Sequence, residues 1–89
     1  MSEIEYILEE RGSRYGTFVT HASITQALKD CMQECPNWYR LNPYHKEALE
    51  MIQHKIGRIL NGDPDYQDSW DDIAGYSTLV SKIIKGENP

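Results

Sequence analysis

Apolar residues recur at spacings of three and four along most of the chain, and they group into four helical segments. Ile4, Ile7 and Leu8 mark a first helix over 3–11, with Ser2 placed to cap it and Gly12 to end it. Residues 12–20 read as a loop in which Gly12 and Gly16 bracket Arg14 and Tyr15. A second helix is predicted from about 21–23, with Ile24, Ala27, Leu28, Cys31 and Met32 on one stripe. Pro36 and Asn37 close it, and Trp38 and Tyr39 sit in the connection that follows. The third helix is the most clearly marked. Asn42 is a good N-cap and Pro43 suits the first helical position, where its missing N–H costs nothing. Ala48, Leu49, Ile52, Ile56, Ile59 and Leu60 then keep the helical period up to a stop at Asn61 and Gly62. A turn rich in Asp and Pro leads to a fourth helix ending near Lys85, whose predicted buried stripe is Trp70, Ile73, Tyr76, Leu79, Val80 and Ile83. The pattern predicts an all-α single domain over 1–89: a small bundle of about four helices, the last two forming an antiparallel hairpin.

Composition adds limits to this picture. The 89 residues are 39% hydrophobic and 26% charged, with six Tyr and two Trp, which is a globular balance. So short a chain buries only a modest core, and self-association into a homo-oligomer is a natural way to extend it. The net charge of −5 argues against a nucleic-acid polymer as partner, because such binding needs a basic face. No helix carries the basic and amide side chains of a groove reader. There is no long apolar run, and the first ten residues lack the order of a signal peptide, so a cytoplasmic protein away from membranes is expected. Cys31 and Cys35, four apart, read as reduced structural thiols, because no further paired ligands stand at zinc-site spacing.

The hairpin concentrates the candidate chemistry. Lys55 and Arg58 share one face of the third helix, with His54 four residues from Arg58, and Asp68 and Asp72 share one face of the fourth. Both sets lie close to the turn, so they fall at similar heights. Two readings stand open. The residues form inter-helix ion pairs, with Asp68 also available as a helix cap. Alternatively Asp68 and Asp72 hold Mg²⁺ while Lys55 and Arg58, joined by Arg14 and Arg11 from the first loop, grip phosphates. Arginines gathered in an acidic protein suit a nucleotide better than a polymer.

The stretch from Lys55 and Arg58 to Gly62, and then from Asp68 to Asp72 and Tyr76, resembles a group of short phage and prophage proteins. The early stretch from Leu8 through Arg14, Tyr15 and Gly16 to Phe18 resembles the same group. More distantly, the hairpin is similar to the all-α nucleoside triphosphate pyrophosphohydrolases of the MazG and dUTPase-like superfamily. That resemblance implies a helical bundle that often dimerises, with a Mg²⁺–triphosphate site between helices, held by paired acidic residues. Here Lys55 and Arg58 stand where that pattern has its first acidic pair, and Asp72, with Asp68, matches the second. Phosphate binding is thus the expectation, with Tyr15 as a contact to a base or a lid. Whether hydrolysis persists is left open. A second expectation, from another class, is a non-enzymatic accessory protein that binds a host protein through its acidic surface or through Trp38, Tyr39 and Tyr44.

Overall fold

The computed structural model describes residues 2–89, and among them every regular element is helical. The elements are α1 (Glu3–Tyr15), α2 (Phe18–Glu34), a 3₁₀ helix (Pro36–Arg40), α3 (Pro43–Asn61) and α4 (Gln67–Ile84). The chain is an all-α bundle, and its last two helices pack closely as a hairpin. α3 is the central helix, lying against both α2 and α4, and α1 rests more lightly on α2 and α3. No helix among the described residues is long and apolar enough to cross a membrane.

The caps explain most boundaries. The Ser2 hydroxyl accepts from the Glu5 N–H at 3.2 Å, which starts α1. Gly12 does not stop this helix. It costs about 1 kcal/mol as a mid-helix glycine, but Gly16 adopts a φ of 79° four residues later and donates its N–H to the Gly12 carbonyl. The loop therefore shrinks to Gly16 and Thr17, and α2 begins at Phe18, ahead of the expected start. At α3, His45 Nδ1 accepts from the Asn42 N–H at 3.0 Å, and Pro43 occupies the first turn as expected. Tyr66 caps α4, and Asp68 lies inside its first turn rather than at the cap. The indole N–H of Trp70 donates to the Pro64 carbonyl at 2.7 Å, which clamps the hairpin turn.

The interior differs from the expected stripes. Its most buried residues are His21, Thr25, Gln53, Lys55 and Ser69 together with Trp38 and Ala48, and no large side chain among the described residues is completely enclosed. Of the expected stripes, Ala48 is buried, whereas Leu49, Ile56, Leu60, Trp70 and Leu79 remain exposed. Because α3 is flanked on two sides, residues off its apolar stripe meet neighbours. Gly57 packs so closely on α2 that a Cβ there would lie 2.6 Å from Thr25 Cγ2. Gln53 is 3% exposed, with neither side-chain amide atom hydrogen-bonded within the chain. The molecule is also extended: its radius of gyration is 15.2 Å, against about 12 Å for a compact domain of this length.

Candidate functional site: an arginine–tyrosine cleft

The short α1–α2 connection is fixed to the end of α3. The Asn61 side-chain amide donates to the Tyr15 carbonyl at 2.8 Å and the Thr17 carbonyl at 2.9 Å. The Asp63 N–H donates to the Arg14 carbonyl at 2.7 Å. These bonds require backbone against backbone, and two glycines permit it. A Cβ on Gly16 would strike the Asn61 carbonyl, and one on Gly62 would strike the Arg14 carbonyl. The signal Asn61-Gly62 thus both stops a helix and receives the neighbouring loop.

This docking brings distant residues together. The Arg58 guanidinium lies 4.2 Å from the ring centre of Tyr15, and that of Arg14 lies 4.4 Å from the ring centre of Tyr66. The two tyrosines meet edge to face at 5.9 Å. Each guanidinium lies over a ring face, a cation–π contact that leaves the Arg14 group also within reach of Glu10. Arg11, one turn before Tyr15, lines the same cleft of about 400 Å³ with Ile7 and Glu10. Glu10 pairs with Arg14 at 3.5 Å, an exposed contact that leaves the cleft with a cationic surplus.

A second cavity of about 440 Å³ adjoins the cleft, sharing Arg11, Tyr15 and Arg58 with it. Its other walls are Leu8, Phe18, the glycine-rich loop backbone and two histidines. His21 Nε2 and His54 Nδ1 are 3.4 Å apart, with the rings nearly perpendicular. Burial, then the charge of Arg58, lowers the pKa of His21, and the Gly57 backbone opposes this in part. His54 is lowered from 6.5 to about 4, first by burial and then by the charges of His21, Arg58, Lys55 and Lys29. Both rings are therefore neutral at pH 7 and supply a donor–acceptor pair rather than charge.

That pair has a consequence for stability. Between the native and unfolded pKa values the unfolded chain binds more protons, so stability rises with pH across this window and falls as the solution is acidified. It should be fully present above about pH 6.5 and lost progressively toward about pH 4. We expect a loss of roughly 1–2 kcal/mol, allowing for the partly solvated ring. Urea unfolding across this range should show the slope, and His54→Phe should flatten it.

The remaining predicted residues are arranged otherwise. Lys55, only 8% exposed, closes on Asp72 with Nζ to Oδ2 at 2.8 Å, and so turns toward α4 and away from the arginines. Asp68 is exposed in the first turn of α4. No group of three or more His, Cys, Asp or Glu residues that could hold a metal ion converges among the described residues, and Asp72 is paired with Lys55. Arg14, Tyr15 and Arg58, by contrast, come together. Sequence reading missed Tyr66 and His21, because their partners lie 51 and 33 positions away (66 − 15 and 54 − 21) and no local spacing marks them.

The fold and the cleft define a small helical-bundle protein with an arginine–tyrosine pocket at the junction of α1, α3 and α4. By sequence the chain belongs to the family described as a domain of unknown function, DUF6378, whose model matches residues 2–84. No curated protein and no solved structure matches it.

Proposed function

We propose that the protein binds a phosphorylated small molecule of the nucleotide class in the cleft, with Arg11, Arg14 and Arg58 holding the phosphate. The carrying observation is the pair of stacked guanidiniums, Arg58 on Tyr15 and Arg14 on Tyr66, around one cleft. Planar guanidiniums match phosphate oxygens in a bidentate manner, and ring faces hold the planes in place before the ligand arrives. The adjoining cavity, with Leu8, Phe18 and two neutral histidines, offers a flat apolar space for a ring attached to that phosphate. The resemblance to phage and MazG-like proteins favours a nucleotide as the ligand, which fits a cytoplasmic setting.

Charge neutralisation in this reading comes from arginine. Asp72 is committed to Lys55, and these two residues stabilise the hairpin instead of holding a metal ion. No carboxylate stands among the cleft residues except Glu10, itself paired with Arg14, so binding rather than triphosphate hydrolysis is the activity proposed. The reading as a host-protein adaptor has less support: Trp38 is buried, Tyr44 packs at a tilt against His45, and Tyr39 is the one of the three aromatics that stands out.

Calorimetry comparing adenosine 5′-monophosphate, ribose 5-phosphate and unphosphorylated adenosine tests the proposal, with and without Mg²⁺. Both phosphates should bind without the metal, and adenosine should bind at least about tenfold more weakly than its monophosphate. Equal affinity for adenosine and its monophosphate, or no heat from any phosphate at millimolar concentration, would overturn it.

A further inference from the structure

The histidine pair on the wall of the cavity beside the cleft has four ring nitrogens, and the fold gives each a different surrounding. His21 Nε2 and His54 Nδ1 face each other at 3.4 Å, one donating and the other accepting. His21 is 8% exposed, and its Nδ1 is enclosed without a fully formed hydrogen bond. The backbone against that edge is Gly57, where a Cβ would lie 3.4 Å from Nδ1. The fourth nitrogen, His54 Nε2, has no partner among the described residues and, unlike His21 Nδ1, is not enclosed. His54 lines the cavity.

The enclosed end sets the direction of the shared proton. The Gly57 backbone raises the His21 pKa, so what it offers the ring is an acceptor, its carbonyl. A proton on His21 Nδ1 meets this oxygen. A lone pair in the same place would face another lone pair and leave a buried polar atom unsatisfied, at a cost of about 1–3 kcal/mol. A neutral imidazole carries one proton, so His21 with Nδ1–H presents Nε2 as an acceptor. His54 then donates from Nδ1 and keeps a lone pair on Nε2. The charges of Arg58, Lys55 and Lys29 oppose a second proton on that ring.

We propose that His54 Nε2 accepts a hydrogen bond from a ribose hydroxyl of the bound nucleotide, with His21 as the positioning residue that fixes its tautomer. This contact rests on the phosphate binding at Arg58 proposed above. His54 and Arg58 are four residues apart on α3, one turn and about 6 Å along the axis. A nucleotide with its 5′-phosphate on Arg58 therefore brings its sugar, before its base, to the level of His54. Leu8 and Phe18 on the same wall have no polar group to meet a hydroxyl, and the Thr17 hydroxyl is engaged with Thr20 at 2.9 Å. A lone pair at this point favours ribonucleotides over analogues without the sugar hydroxyls.

Calorimetry with adenosine 5′-monophosphate and its 2′,3′-dideoxy analogue, which keeps both phosphate and base, tests the contact. Wild type should prefer the ribonucleotide about 5–10-fold, the worth of one hydrogen bond. In His54→Phe the two ligands should bind within about twofold of each other. Equal affinities in wild type, or an undiminished preference in His54→Phe, would overturn the assignment and leave phosphate binding standing; no binding of either nucleotide removes both. The tautomer is read without ligand or variant. Nitrogen NMR of the free protein at neutral pH should show His54 protonated at Nδ1 and bare at Nε2, and a proton on Nε2 counts equally against the proposal.

Discussion

Replacing Gly62 by valine is expected to break the seat of the α1–α2 connection and take the cleft with it. A side chain there would enter the space of the Arg14 carbonyl and the Tyr15 Cα. The obstruction is backbone, which cannot rotate aside as a side-chain tip can. Relief requires the connection to lift from α3, which breaks the Asp63–Arg14 backbone bond and strains the two Asn61 amide bonds beside it. We expect a loss of roughly 2–4 kcal/mol, or a fall in Tm of about 10–20 °C for a domain of this size. Thermal unfolding by circular dichroism measures it. Gly75→Ala is the control: nothing lies within 4 Å of a Cβ there, in the middle of α4. That change should raise the Tm slightly, since alanine is the better helix former. A Gly62→Val variant as stable as wild type would show that the loop is not held by this contact.

The second large effect falls on binding. Arg58→Ala removes the guanidinium that faces Tyr15 and lines both cavities. Affinity for adenosine 5′-monophosphate should fall about 10–100-fold, the range for losing a charge-assisted phosphate contact. Arg58→Lys should recover little, because an ammonium offers neither the planar fork nor the stacked geometry. Lys55→Met provides the contrast. It leaves the partly exposed Asp72 unpaired and should lower stability while leaving ligand affinity nearly unchanged. Calorimetry and melting curves on the same three proteins separate these outcomes.

Much of this architecture was legible in the sequence where the signal is local. The caps at Ser2 and Asn42, the proline at the start of α3, the stop at Asn61 and Gly62, and the hairpin all follow from neighbouring residues. Gly12 misled because its alternative, Gly16, carries the same signal four residues later, and only the docking to Asn61 selects between them. The apolar stripe of α3 was read correctly as a stripe, but not where it faces. Periodicity identifies an amphipathic helix without naming its partner, and part of this row points out of the chain. The same limit governs the cleft. Lys55 and Arg58 share a helical face by spacing, yet one turns to Asp72 and the other to Tyr15, because α3 has a neighbour on each side. Long aliphatic stems let two residues three apart diverge in this way.

The central claim is that phosphate meets the arginine–tyrosine cleft rather than the acidic end of the hairpin. Side-chain NMR during a titration with adenosine 5′-monophosphate reads this directly, through the guanidinium signals of Arg11, Arg14 and Arg58 and the ring signals of Tyr15 and Tyr66. These signals should move together and saturate with one affinity, while Asp68 and the Lys55–Asp72 pair stay still. Shifts confined to Lys55, Asp68 and Asp72, or no saturable shift in any arginine, would contradict it.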